Sequence, residues 1–244
     1  MDTFNQSAWA QEEFSKNFLE KADIYIQERR KMIHSMSSLF SFYFKEKKDI
    51  HTLDVGCGDG VLTEELLGKD KTIIATLVDG SLTMLQKAKE RLMAYSAGMH
   101  FIRASFQELL TGTIPLGHFD FCVSSFAIHH LEMKEKKNLF RYIYGHLNAE
   151  GHFVNIDVVL SPSEGLEEWY FSIWREWMQY MQDQINLKDE LPEDIIRRYK
   201  DPSSMNKPDT LEAQLNALRE IGFRDVDCYY KNGIFAVFGG KLKP

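Results

Sequence analysis

Leu53-Asp54-Val55-Gly56-Cys57-Gly58-Asp59-Gly60 is an apolar strand end that runs into three glycines at alternate positions. Ile50 to Val55 reads as a buried strand. The glycines let the backbone turn sharply and approach a ligand before Val61 to Leu67 begins a helix whose first amides are free. A second apolar run, Thr72-Ile73-Ile74-Ala75-Thr76-Leu77-Val78, closes on Asp79, 23 residues past Gly56. A carboxylate at that distance accepts hydrogen bonds from ribose hydroxyls, so the segment predicts a crevice for a nucleoside cofactor.

The spacing of the glycines separates two kinds of cofactor. A dinucleotide fingerprint is G-x-G-x-x-G, whereas Gly56, Gly58 and Gly60 give G-x-G-x-G with Asp54 two residues ahead. This resembles the first motif of class I S-adenosylmethionine-dependent methyltransferases, and the resemblance runs from about Tyr25 to Gly240. It implies that Asp54, Gly56, Cys57, Gly58 and Gly60 cradle the methionine end of S-adenosylmethionine while Asp79 holds the ribose. Gly80, Ser81 and Met84 follow Asp79, and Met84 reads either as packing on adenine or as an inward-facing helix methionine. In Arg103-Ala104-Ser105-Phe106 the family often carries an aspartate where this chain has Ser105, a departure that leaves a hydroxyl or an amide for adenine, with Phe106 as an apolar surface. Tyr25 and Arg29 resemble a segment that folds over the methionine carboxylate, and an ordinary surface helix accounts for them equally.

Bulk properties narrow the acceptor. The chain has 244 residues, 44% of them hydrophobic, enough for one α/β domain with an elaboration. No apolar run approaches the roughly 18 residues of a membrane span. Cys57, Cys122 and Cys228 are scattered, so we expect a soluble protein of a reducing cytoplasm, with the latter two as buried small hydrophobes and no metal site. A formal net charge of -7 repels polyphosphate, which favours a small-molecule acceptor over nucleic acid.

Strands alternating with helices predict a Rossmann-like seven-stranded, mostly parallel sheet. Met99 to Arg103, Phe119 to Ser125 and Phe153 to Val159 are the third to fifth strands, with helices over Ser81 to Arg91 and Lys134 to Leu147. Asp209 to Ile221 is a helix closed by Gly222. Val226 to Tyr230 and Ile234 to Phe238 then form a C-terminal antiparallel hairpin through Lys231-Asn232-Gly233. Residues 1–48 read as an N-terminal helical cap, with Trp9, Phe14, Phe18, Ala22, Ile26, Ile33, Met36 and Phe40 on its inner face. Residues 49–160 and 209–244 form the cofactor-binding domain, and 161–208 a helical insertion after the fifth strand that covers the substrate. Tyr170, Trp174, Trp177 and Met181 recur there at helical spacing, a stripe read first as packing on the parent domain. Ten acidic against five basic side chains between Ser163 and Asp201 suit a solvated face, or a cationic amine if the aromatics line a pocket.

Methyl transfer from a sulfonium is an in-line displacement that needs alignment, exclusion of water, and a base only where the nucleophile must lose a proton. Ser124-Ser125-Phe126-Ala127-Ile128-His129-His130 follows the fourth strand, where ligands bind in such sheets. By resemblance Ser125 contacts cofactor, with His129 as the base and His130 in reserve; each imidazole also reads as a backbone-bonded cap. Asp157 either faces the acceptor or caps the insertion. Competing readings are a nicotinamide-dependent oxidoreductase, a non-catalytic S-adenosylmethionine-binding protein and, disfavoured by charge, an RNA methyltransferase.

Overall fold

The computed structural model describes residues 19, 21–95, 97–186 and 190–243. Trp9, Phe14 and Phe18 of the expected cap lie outside these residues. The elements are α1 (Arg29–Phe44), β1 (His51–Val55), α2 (Val61–Lys69), β2 (Ile74–Asp79), α3 (Leu82–Arg91), β3 (Met99–Arg103), α4 (Phe106–Leu110), β4 (Phe119–Ser125), α5 (Met133–Gly145), β5 (Leu147–Val158), α6 (Glu164–Gln184), α7 (Pro192–Lys200), α8 (Leu211–Ile221), β6 (Arg224–Asn232) and β7 (Phe235–Lys241). The sheet order is β3-β2-β1-β4-β5-β7-β6. The first five strands pair in parallel; β7 pairs antiparallel with both β5 and β6. The order reverses between β1 and β4, so their carboxyl ends flank a crevice.

Alternation along the strands builds two cores. Phe121 and Val123 of β4 and Val154 and Ile156 of β5 meet α1, α2, α3, α6 and α7. Cys122 and Phe153 face the other way, against α4, α5 and α8. Phe121, Phe153 and Phe238 are wholly buried, each burial worth roughly 1.5–3 kcal/mol. Asn155 and Asp157 share the face of Phe153, because side chains two apart on a strand point the same way.

Several helix ends follow their local chemistry. Ser81 Oγ accepts the Met84 amide, Thr210 Oγ1 accepts the Ala213 amide, and Gly222 closes α8 at φ 120°. Three expectations need correction. The helical run toward Phe44 is not continuous: Glu28 at φ 57° breaks it, and α1 restarts at Arg29. Strand β5 begins at Leu147 rather than Phe153, pairing early with Phe119. Cys228 is only half-buried, since β6 is an edge strand. In the insertion, Trp174 is buried while Tyr170, Trp177 and Met181 pack on the core, which supports the packing reading of that stripe.

Candidate active site

The glycine loop is tied to β2 before it opens. The Gly56 and Cys57 amides both donate to the Val78 carbonyl, at 2.8 and 3.0 Å. Gly56 has φ 69°, and a Cβ there would lie 2.5 Å from Cβ of Ala127 and 3.3 Å from the Phe106 ring, so backbone and neighbours both demand glycine. Gly58, at φ 55°, differs: a Cβ would meet nothing within 4 Å. The Gly58 amide instead donates to Asp79 Oδ2 at 2.9 Å, and Ser81 N to Oδ1 at 2.7 Å, fixing the carboxylate beside the loop. Enclosure raises the Asp79 pKa against the lowering effect of those two amides. Arg91 pairs with Asp59 and donates from Nε to its carbonyl at 3.0 Å, bracing the loop from α3.

Beneath the loop Asp54 is 1% exposed. Its Oδ2 accepts from Thr63 Oγ1 at 2.8 Å, while Oδ1 is buried without a partner among the described residues. Burial pushes this carboxyl up to about 7; the Thr63 bond opposes the shift, and the charges of Asp79 and Asp59 add to it. A buried oxygen left unpaired costs roughly 1–3 kcal/mol, which a donor on a ligand would recover.

Across the crevice, Ala104 and Met84 are each 3% exposed, and Met84 sits on the inner side of α3. Ser105 caps α4: its amide donates to Glu108 Oε2 at 2.7 Å and its Oγ accepts the Glu108 amide at 3.2 Å. That box occupies the amide expected to meet adenine. Tyr25 and Arg29 also take protein partners. The Tyr25 hydroxyl donates to Glu190 Oε2 at 3.3 Å, and burial, with the charge of Glu190, pushes its pKa up to about 12. Arg29 Nη1 donates to Asp23 Oδ1 at 2.8 Å. Trp174 and Trp177 donate through Nε1 to the carbonyls of Tyr25 and Ile24, at 2.8 and 3.0 Å, stitching the segment before α1 to the insertion.

At the carboxyl end of β4, Ser124 Oγ donates to the Val55 carbonyl at 2.7 Å, leaving Ser125 at the strand end. Phe126 follows with φ 50°, a strained conformation for a bulky residue of the sort that clusters at functional sites. The 3-10 turn Ile128–His130 then presents both histidines, their rings 4.0 Å apart. His129 Nδ1 lies 2.5 Å from Asp157 Oδ1, and the His129 amide donates to Oδ2 at 3.0 Å. Val158 N donates to Oδ1 at 2.9 Å and Asn155 Nδ2 to Oδ2 at 3.4 Å, so the carboxylate is fixed by several bonds. With Nδ1–H donating to the carboxylate, Nε2 carries the lone pair. His130 Nδ1 donates instead to the Met205 carbonyl at 3.4 Å, and burial, with His129 beside it, holds its pKa well below the usual imidazole range.

A strap from the end of the insertion completes the site. Lys207 N donates to the His129 carbonyl at 2.7 Å. Lys136, 0% exposed, holds the strap from α5 through the Lys207 carbonyl and Asp209 Oδ2, each at 2.5 Å. Sequence reasoning missed this clasp, because a lysine in the run Lys134-Glu135-Lys136-Lys137 reads as surface charge. It also missed Asp157 as the partner of His129. The Ser105 box, by contrast, was signalled by serine three residues before glutamate.

A family model described as "Methyltransferase domain" matches residues 52–151. Residues 52–151 are thus similar to a methyltransferase domain, as the glycine loop leads one to expect. The chain is 22% identical over 190 residues to carboxy-S-adenosyl-L-methionine synthase of Nautilia profundicola, covering 76% of this chain and 74% of the relative. Its fold matches an O-methyltransferase family protein from Burkholderia thailandensis with a TM-score of 0.67 at 12% identity, over 98% of this chain and 63% of that one. Human N-acetylserotonin methyltransferase, solved with S-adenosylmethionine, matches with a TM-score of 0.62 at 16% identity, over 100% of this chain and 59% of that one. The chain thus spans about 60% of the length of those structures. The crevice fits S-adenosylmethionine: an orphaned buried carboxylate oxygen suits an ammonium, and the space over Gly58 leaves the loop free to be approached. No helix among the described residues is long and apolar enough to cross a membrane.

Proposed function

We propose that this methyltransferase alkylates a small molecule at a nucleophile that must lose a proton, with His129 as the base and Asp157 as the residue that orients it. The observation that carries the reading is the 2.5 Å His129–Asp157 contact at adjacent carboxyl ends of β4 and β5. When bound, S-adenosylmethionine supplies an electrophilic methyl group. Gly56, Cys57, Gly58 and Gly60 cradle its methionine end, Asp54 takes the ammonium and Asp79 the ribose, with Gly80, Ser81, Met84, Ala104, Ser105, Phe106 and Ser125 around the adenosine and sulfur. Tyr25 and Arg29 close over the methionine carboxylate, which requires Arg29 to leave Asp23. An acceptor that is alkylated gives up its proton, and His129 Nε2 would take it; His130, bonded to a carbonyl, stays in reserve. The net charge of -7 supports a small acceptor over a polynucleotide.

Calorimetry with S-adenosylhomocysteine against NADH tests the cofactor, and tight binding of NADH alone overturns the reading. His129→Ala should lower turnover and leave cofactor affinity nearly intact, and Asp157→Asn should lower turnover by disordering the imidazole. Unchanged rates in both would remove the base. A second reading is favoured by the 22% identity to carboxy-S-adenosyl-L-methionine synthase over three quarters of the chain. There the cofactor would gain a carboxyl group, and mass spectrometry of the nucleoside product separates the outcomes.

A further inference from the structure

A cleft of about 290 Å³ lies away from the crevice, between α1 and the first half of β6. His152, one of its lining residues, stands on β5 five residues before Asp157, about 17 Å along the strand at 3.3 Å per residue. Tyr43, Asp225, Asp227 and Tyr229 line it as well.

The walls offer acceptors and π faces. His152 is 4% exposed, and its Nδ1 donates to the Glu150 carbonyl at 3.0 Å. That bond fixes the tautomer, so Nε2 holds a lone pair, and among the described residues nothing donates to it. Burial depresses the imidazole pKa to about 4, so the ring is neutral at physiological pH. Tyr43 lies against it with centroids 4.2 Å apart, and Tyr43 is 46% exposed. Asp227 Oδ1 accepts the Cys228 amide at 2.7 Å, leaving the second oxygen without a partner among the described residues. Lys241 already displays the matching chemistry beside the cleft: its ammonium meets Asp225 at 3.0 Å and Glu150 at 3.5 Å and sits 5.9 Å from the Tyr43 centroid. Two carboxylates and an aromatic ring therefore meet this ammonium.

We propose that this cleft is a second binding site that takes a compact organic ammonium ion, with Asp227 supplying the countercharge, Tyr43 and Tyr229 the aromatic faces, and His152 Nε2 an acceptor for one N–H. The Asp225 and Asp227 carboxylates disfavour an anion there, and the volume lies at the small end of ligand pockets, which excludes large occupants. The site is independent of the methyl-transfer reading.

The test is a nitrogen-15 and ring-proton NMR titration of the full chain with n-butylammonium chloride. Butanol and magnesium chloride at matched ionic strength are the controls. A saturable shift at His152 Nε2 and at the Tyr43 and Tyr229 rings is expected with the ammonium alone. Asp227→Asn and Tyr43→Leu should each weaken binding about tenfold, the size of one charged or cation–π contact. Their affinity for S-adenosylhomocysteine should be unchanged, which shows that both fold. No saturable shift, an equal shift with butanol or magnesium, or wild-type affinity in both variants overturns the proposal.

Discussion

Three glycines two residues apart are not equivalent. Gly56→Ala combines a left-handed backbone with a 2.5 Å approach to Ala127, so we expect it to lower stability by about 2 kcal/mol or more in urea unfolding. Gly58→Ala meets no neighbour, so it should cost only about 1 kcal/mol for its positive φ while weakening S-adenosylhomocysteine binding in calorimetry. Asp54 gives a pH test. Its carboxyl titrates at about 7 in the fold, and an ammonium pairs with the ionised form. Cofactor affinity should therefore rise by up to about tenfold per pH unit toward pH 7 and flatten above it, and Asp54→Asn should abolish that slope. The stability effect has the opposite sign. A folded pKa above the unfolded value of 3.8 means the folded state holds the proton, so this contribution is full below pH 3.8 and is lost as pH rises through 7. The glycines and Asp79 were legible in the sequence because a turn and its spacing are local. The orphaned oxygen of Asp54 was not, since it depends on which side chains reach it in three dimensions.

Elements show the same division. Lys136→Met removes a fully buried ammonium that joins α5 to the strap, and we expect a loss of about 3 kcal/mol in chemical denaturation, the low end for breaking a buried pair because Asp209 remains partly wet. Amide exchange at Lys207 should quicken in that variant, because its partner is the His129 carbonyl. Strands β3 and β4 could be read to the residue, being apolar runs bounded by glycine or arginine. The early start of β5 could not: Asn148-Ala149-Glu150 reads as a turn, and only pairing of Leu147 with Phe119 extends the strand. The break at Glu28 was equally hidden, for glutamate is a good helix former and carries no stop signal.

On the scale of the molecule, the crevice lies where the strand order reverses, and a ligand bound there touches β1, β2, β4 and their following loops at once. Saturating S-adenosylhomocysteine at about 100 times its Kd should raise stability by about 2.7 kcal/mol, read as a higher Tm, whereas NADH should leave it unmoved. The mostly parallel sheet and closing hairpin followed from the alternation of apolar runs and from Asn232-Gly233. The meeting of α6, α7 and the segment before α1 did not, because it is set by tertiary packing alone. The strap also fixes where this chain can be cut. Met205 to Asp209 belongs to the histidine turn by its bonds and to the insertion only by chain order, so a graft that exchanges residues 161–204 for another segment should keep the turn clasped, and one that extends through 209 should release it.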